Sequence, residues 1–319
     1  MSVALPQPPP PITANLSANL SASGLAVDFA ALGLALTSLP ADAPVVVLIH
    51  GYRFQPGRPA QCPHRHILSC APEIKDGREI SWPQHLALDG QLGLAIALGW
   101  PAGGSLWRAY RQAARAGAAL AAFAEQFHQI APTRTLNVVA HSLGTRVALT
   151  ALGLAAPGRF RQMIFLCGAE TRSLARKAMA SPAGQSVEVI NVTSRENDLF
   201  DAAFEWLLHF GRHWSIGQGL GGQGLGGTLT NWHDLWIDQR HSLQVLAQHG
   251  FPMTAPSGRI SHWSPYLRPG AFALYRAVLR GHLPLSALPR TKPTRRWSLL
   301  FARRIDGAPS VTIARQAIP

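Results

Sequence analysis

The stretch TLNVVAHSLGTRVALTALGLAA, residues 135–156, decides the fold. Its first six residues are mostly apolar, with adjacent valines, and read as a strand. From Leu143 onward the Ala/Leu-rich composition reads as a helix. Between the two lies His141-Ser142-Leu143-Gly144, where Ser142 is either an ordinary helix cap or a nucleophile held up on a sharp turn. Ala140 and Gly144, the small residues at the ends of the five-residue window, favour the sharp turn. A strand and a helix that meet this closely leave no room for larger side chains.

The pattern on either side of this stretch is the same. APVVVLIHGY (43–52) and LGLAIALGW (92–100) are apolar runs of strand length. SLWRAYRQAARAGAALAAFAEQFHQI (105–130) is built from good helix formers. RQMIFLCGA (161–169) and SVEVINVTS (186–194) read as strands, TRSLARKAMA (171–180) and NDLFDAAFEWLLHF (197–210) as helices. Strands buried on both faces and separated by helices predict an α/β fold with a mostly parallel central sheet and helices on both sides. Residues 211–260 break the rhythm. GQGLGGQGLGG (217–227) holds seven glycines in eleven positions and precedes TLTNWHDLWID, so a flexible or tightly turned excursion is expected there rather than a packed element. The glycines lack the strand and the Lys-Ser/Thr or GxGxxG context of a phosphate cradle, which argues against nucleotide binding. PGAFALYRAVLRG (269–281) reads as a late helix.

The 319 residues, 47% of them hydrophobic, suffice for a sizeable core. The formal charge of +13 raises the question of a polyanionic partner, but close to half of it sits in the last thirty residues, in Arg290, Lys292, Arg295, Arg296, Arg303, Arg304 and Arg315 against Asp306. Three cysteines exclude a dense disulfide framework. Cys167, in an apolar run, is expected to be buried and inert. The start MSVALPQPPPP has no basic residue and no compact apolar segment before its prolines, and no uninterrupted apolar run reaches spanning length, so a soluble, cytoplasmic protein is expected.

AHSLG, with Ala140 standing where the first glycine of G-x-S-x-G is expected, resembles the nucleophile elbow of the α/β-hydrolases. The resemblance covers roughly residues 43–210 and 255–283. It implies a nucleophile at Ser142, then an acid, then a histidine in chain order. Asp198, in TSRENDLFD after the strand VEVINV, is the expected acid, with Glu196 and Asp201 as rivals. His262, in RISHWSPY ahead of the last helix, is the expected base. Two backbone N–H groups, of Leu143 and of Tyr52 in the HGY turn, are expected to form the oxyanion hole. His50 is expected to brace that turn.

On this reading residues 1–42 are an N-terminal extension with an edge strand and residues 43–285 an α/β-hydrolase domain with insertions at 53–85 and 211–260. Residues 286–319 are a basic C-terminal tail. Cys62, His64, His66 and Cys70 lack the paired spacing of a structural zinc site, so neither a metal nor another cofactor is expected. The tryptophans 100, 107, 206, 214, 232, 236 and 263 either line an acceptor pocket or cover the core. The leading expectation is a serine hydrolase acting on a small-molecule carboxylic ester, with no specific nucleic-acid partner. The alternative is a catalytically inactive binding protein of the same fold. In either case the tail, apolar at WSLLFA between basic pairs, is a candidate contact for a polyanion, a membrane surface or a partner.

Overall fold

The computed structural model of the chain describes residues 15–21, 24–73, 79–220 and 229–290. The strands are β1 (Asn15–Ser21), β2 (Gly24–Ala26), β3 (Val45–Ile49), β4 (Leu94–Gly99), β5 (Leu136–His141), β6 (Phe160–Leu166), β7 (Glu188–Thr193) and β8 (Trp232–Trp236). They form one sheet in the order β2-β1-β4-β3-β5-β6-β7-β8, antiparallel at β1–β2 and parallel at every other pair. The helices are α1 (Phe29–Ser38), α2 (Trp82–His85), α3 (Leu106–Ile130), α4 (Gly144–Leu154), α5 (Arg172–Met179), α6 (Asp198–His209), α7 (Arg240–Gln248), α8 (Ser264–Leu267) and α9 (Ala271–Leu279).

The central strands are apolar on both faces because both faces are covered. Along β3, Val45, Val47 and Ile49 enter a core shared with α1, α3, α4, α5 and α6. Val46 and Leu48 enter a second core with α2, α7, α8 and α9. The α/β architecture expected from the alternating pattern is therefore the one observed. No helix among the described residues is long and apolar enough to cross a membrane.

One expectation is overturned. Residues 229–238, read as part of an excursion, contribute β8, in register with β7 from Val189 opposite Trp232 to Thr193 opposite Trp236. The polar centre of WHDLW hid the strand. Its Asp234 carboxylate accepts hydrogen bonds from Asn191 Nδ2 (2.8 Å) and Trp232 Nε1 (2.9 Å), so the charge is carried inside the sheet. α7 follows in the same segment. Within the glycine-rich run, Gly217–Leu220 are packed at the carboxyl end of the sheet. Residues 221–228, the rest of that run, lie outside the described residues, as does the tail beyond residue 290.

The helices α3 and α4, flanking the Ser142 turn, cross at Gly117. A Cβ there would lie 2.5 Å from Thr150 Cβ and 2.7 Å from the Val147 carbonyl oxygen. Gly153, on α4, faces open space. Gly117→Val should therefore lower the unfolding free energy by about 2 kcal/mol. Gly153→Ala should raise it by up to about 1 kcal/mol. Urea unfolding of the two variants checks both signs; equal effects would contradict the crossing geometry.

Candidate functional site

β5 runs into α4 through Ser142, whose φ of +54° is in the left-handed region that a residue with a Cβ seldom adopts. Three backbone hydrogen bonds hold the turn. The Ser142 N–H donates to the Leu166 carbonyl (3.1 Å), and the Ser142 carbonyl accepts from Thr145 N–H and Ala169 N–H (3.0 Å each). β3 presses against it from the side. A Cβ on Gly51 would lie 2.8 Å from Ser142 Cβ, and one on Gly144 would lie 2.7 Å and 2.8 Å from the carbonyl oxygens of His50 and Ile49. Ala140, in the place of a third small residue, is fully buried.

The turn after β3 is fixed by His50. Its ring stacks on Trp100 with centroids 5.3 Å apart, and its Nδ1 donates to the Gly51 carbonyl at 2.9 Å. Its Nε2 accepts from Trp100 N–H at 3.1 Å. Burial lowers the His50 pKa to about 3, so the ring is a neutral brace. Tyr52 follows, its hydroxyl donating to the Gly104 carbonyl at 2.6 Å, and Arg53 N–H donates to Ala102. Among the described residues, the backbone N–H groups of Tyr52 and Leu143 have no acceptor within the protein. They flank Ser142 from the β3 and α4 sides, the two positions from which an oxyanion hole is built.

His262 reaches the turn through His141. The His141 Nε2 donates to the His262 carbonyl at 3.0 Å, and the two rings lie 4.6 Å apart. Phe200 stacks on the other side of His262, also at 4.6 Å. Desolvation, and then the neighbouring His141, push the His262 pKa well below its ordinary value. Among the described residues no hydrogen bond joins the Ser142 hydroxyl to His262.

The expected acid is displaced by one residue. His262 Nδ1 donates to Asn197 Oδ1 at 2.6 Å, whereas the Asp198 carboxylate lies 3.0 Å from Arg195 Nη1 and accepts from Gln218 Nε2 at 3.4 Å. The short 3-10 turn Arg195–Asn197 causes this. With three residues per turn it rotates successive side chains by about 120°, so neighbours face different partners. An amide oxygen at Nδ1 fixes the proton there and leaves Nε2 as the basic atom, which is the tautomer a general base needs.

Glu196, weighed as a rival acid, holds the histidine loop instead. Its Oε1 accepts from Ser257 N–H and Oγ (2.8 Å each), its Oε2 from Arg268 Nη2 (2.6 Å), and its carbonyl from Ser261 N–H (2.9 Å). Asp201, the other rival, is buried inside α6 and accepts from Ser215 Oγ at 3.0 Å. Sequence reasoning missed Asn197 and Arg268. The only signal for Asn197 was its place in the same turn as the acids.

The remaining candidates fall elsewhere. Cys62 and Cys70 are free thiols and Cys167 is buried. His64 bonds Asn19 Oδ1 at 2.8 Å. Among the described residues no group of three or more His, Cys, Asp or Glu could hold a metal ion. Trp100, Trp232 and Trp236 belong to the core, while Trp107, Trp206 and Trp214 are exposed.

Residues 107–217 match the family model described as alpha/beta hydrolase fold. That segment runs from α3 through the Ser142 turn, β6, β7 and α6. No curated protein matches the chain.

The buried histidines predict an acid-side loss of stability. Burial lowers His50 to about 3 and His141 to about 4, from an ordinary value of 6.5. Their contribution is full above that ordinary value and is lost as pH falls toward the folded values, by up to roughly 1.4 kcal/mol per pH unit for each. Asp201, raised by burial from 3.8 to about 7, works the other way, losing stability as pH rises through that window. His262 is pushed down as well and Asp238 up, so the lowered histidines outnumber the raised carboxyls and the melting temperature should fall between about pH 6.5 and about pH 5. Asp201→Asn should steepen the fall. A melting temperature flat or rising on acidification would contradict the neutral burial of these rings.

Proposed function

We propose that the chain, which carries the α/β-hydrolase fold, is a serine hydrolase of carboxylic esters working through an acyl-enzyme. The fold supports a hydrolase-type function. The finer reading rests on one observation: a serine at φ +54° on the strand-to-helix turn, flanked by two backbone N–H groups with no acceptor among the described residues. A helix cap needs neither feature.

In this reading Ser142 Oγ attacks the ester carbonyl carbon while His262 Nε2 takes the hydroxyl proton. The carbonyl oxygen becomes an alkoxide, held by Leu143 N–H and Tyr52 N–H. Collapse breaks the bond to the leaving oxygen, which takes the proton from His262 and departs as the alcohol. Water repeats the sequence: His262 removes its proton, the hydroxide oxygen bonds to the acyl carbon, and the carboxylic acid leaves as Ser142 regains its proton. Asn197 keeps the His262 proton on Nδ1 throughout, and Glu196 keeps the loop in place. Asn197 carries no charge to offset the imidazolium. Burial, and then the neighbouring His141, push the His262 pKa down, which keeps the ring neutral before it takes the Ser142 proton.

A fluorophosphonate probe should label the protein at neutral pH, and Ser142→Ala and His262→Ala should each abolish labelling. Asn197→Ala should lower kcat/KM on a short-chain ester by about 100-fold. Asn197→Asp should move the acid limb of the pH profile upward, because a carboxylate at Nδ1 favours the charged ring. A folded wild type that resists the probe would favour the inactive binding protein of the same fold.

A further inference from the structure

α6 is inside out. Asp198, Asp201 and Glu205 face inward with Phe204 and Leu208 and are buried. Leu199, Ala203, Trp206, Leu207 and Phe210 face solvent. At 3.6 residues per turn Leu199, Ala203, Trp206 and Leu207 fall within an arc of about 100°, the width of the stripe by which an ordinary surface helix packs on its core, and Phe210 follows as the left-handed residue that ends the helix. Trp206, Phe210 and Leu207 are 67%, 66% and 57% exposed.

The apolar surface continues onto neighbouring elements. Trp107, at the start of α3, lies 6.2 Å from Phe210 between ring centroids. Trp214 is exposed four residues beyond Phe210, with the Arg172 guanidinium 5.6 Å from its ring centroid. At its other end, Phe200 follows Leu199 and stacks on His262, so the stripe borders the candidate site. Its charged surroundings are of one sign. Arg108 and Arg111 are exposed beside and one turn beyond Trp107, and Arg212 is exposed two residues beyond Phe210. The nearest carboxylates on these elements, those of α6 and Glu170, are buried.

We infer that the outer face of α6, with Trp107 and Trp214, docks on a bilayer surface bearing anionic lipid headgroups, which brings the Ser142 turn to that surface. An apolar centre rich in tryptophan, rimmed by arginine and, among the described residues, free of exposed carboxylate, matches the layering of such an interface: ring bodies below the headgroups, guanidinium groups among the phosphates. No described helix spans a membrane, so the contact is peripheral. The inference concerns binding and stands apart from the assignment of catalytic roles.

The test uses the full chain carrying Ser142→Ala, so that lipid stays intact, sedimented with phosphatidylcholine vesicles with and without phosphatidylserine. The expected result is binding that requires phosphatidylserine and weakens at high salt. Replacing Trp206, Leu207 and Phe210 together by serine should reduce partitioning at least tenfold, and Arg108→Gln with Arg111→Gln and Arg212→Gln should do so on anionic vesicles. Both variants keep residues 286–319, so binding through the basic tail would survive in them and overturn the inference. So would a parent protein that stays in the supernatant, or light scattering that finds a dimer dispersed by the Trp206/Leu207/Phe210 variant. Because the altered side chains face solvent, melting temperatures and far-ultraviolet circular dichroism near the parent's identify folded variants.

Discussion

The close approach of β3 to the Ser142 turn is the constraint on which the rest of the site depends. Gly51 and Gly144 are the two places where that approach is tightest. Any Cβ there would overlap Ser142 itself or the carbonyls of Ile49 and His50. With the gap closed, the left-handed conformation of Ser142 is held by its bonds to Leu166, Thr145 and Ala169 rather than relaxing into a regular helix start. Among the described residues the same closure leaves the N–H groups of Tyr52 and Leu143 without acceptors, because each lies at a turn whose carbonyls are bonded elsewhere. Strain and unpaired donors cost stability, and they persist here because a sheet buried on both faces fixes β3 and β5 side by side.

A second constraint is the concentration of charge at the carboxyl ends of β7 and β8. Arg195 faces Asp198, Gln218 and the ring of Trp236, and Arg268 faces Glu196. Buried pairs of this kind contribute little net stability, yet losing one partner strands the other, so they fix geometry more than they add free energy. What they fix is the position of two loops. The segment 195–198 and the loop carrying His262 are bonded to each other through Glu196, and only then does Asn197 meet Nδ1. The amide at this position is consistent with its surroundings, since another carboxylate would join several already buried nearby.

The sequence made most of the fold legible for a physical reason: strands covered on both faces must be apolar throughout, so β3 to β7 announce themselves. β8 did not, because its central Asp234 is satisfied by Asn191 and Trp232, partners that composition cannot reveal. The sharp turn at Ser142 was legible because the small residues Ala140 and Gly144 flank it. His262 stood out among thirteen histidines only through the chain order that the family resemblance supplied. Asp198 was the wrong neighbour for it. Within Glu196-Asn197-Asp198 each side chain leaves the 3-10 turn in a different direction, and the sequence holds no record of which one faces the histidine loop.

The orientation of α6 follows from the same charge cluster. Its amphipathic pattern alone would turn Leu199, Trp206, Leu207 and Phe210 toward the sheet and its acids toward water. Doing so would separate Asp198 from Arg195 and remove Asp201 and Glu205 from Ser215, whose hydroxyl and N–H they hold. Arg195 and Ser215 would then be buried without those partners, at a cost that Phe204 and Leu208 could not offset by exchanging places with larger side chains. The helix therefore keeps its carboxylates inward and carries its hydrophobic surface outward, immediately beside Phe200 and His262. Local preference fails here for the reason it fails at Ser142: the neighbours have fixed what the segment must present, and the price is an apolar face at the edge of the site.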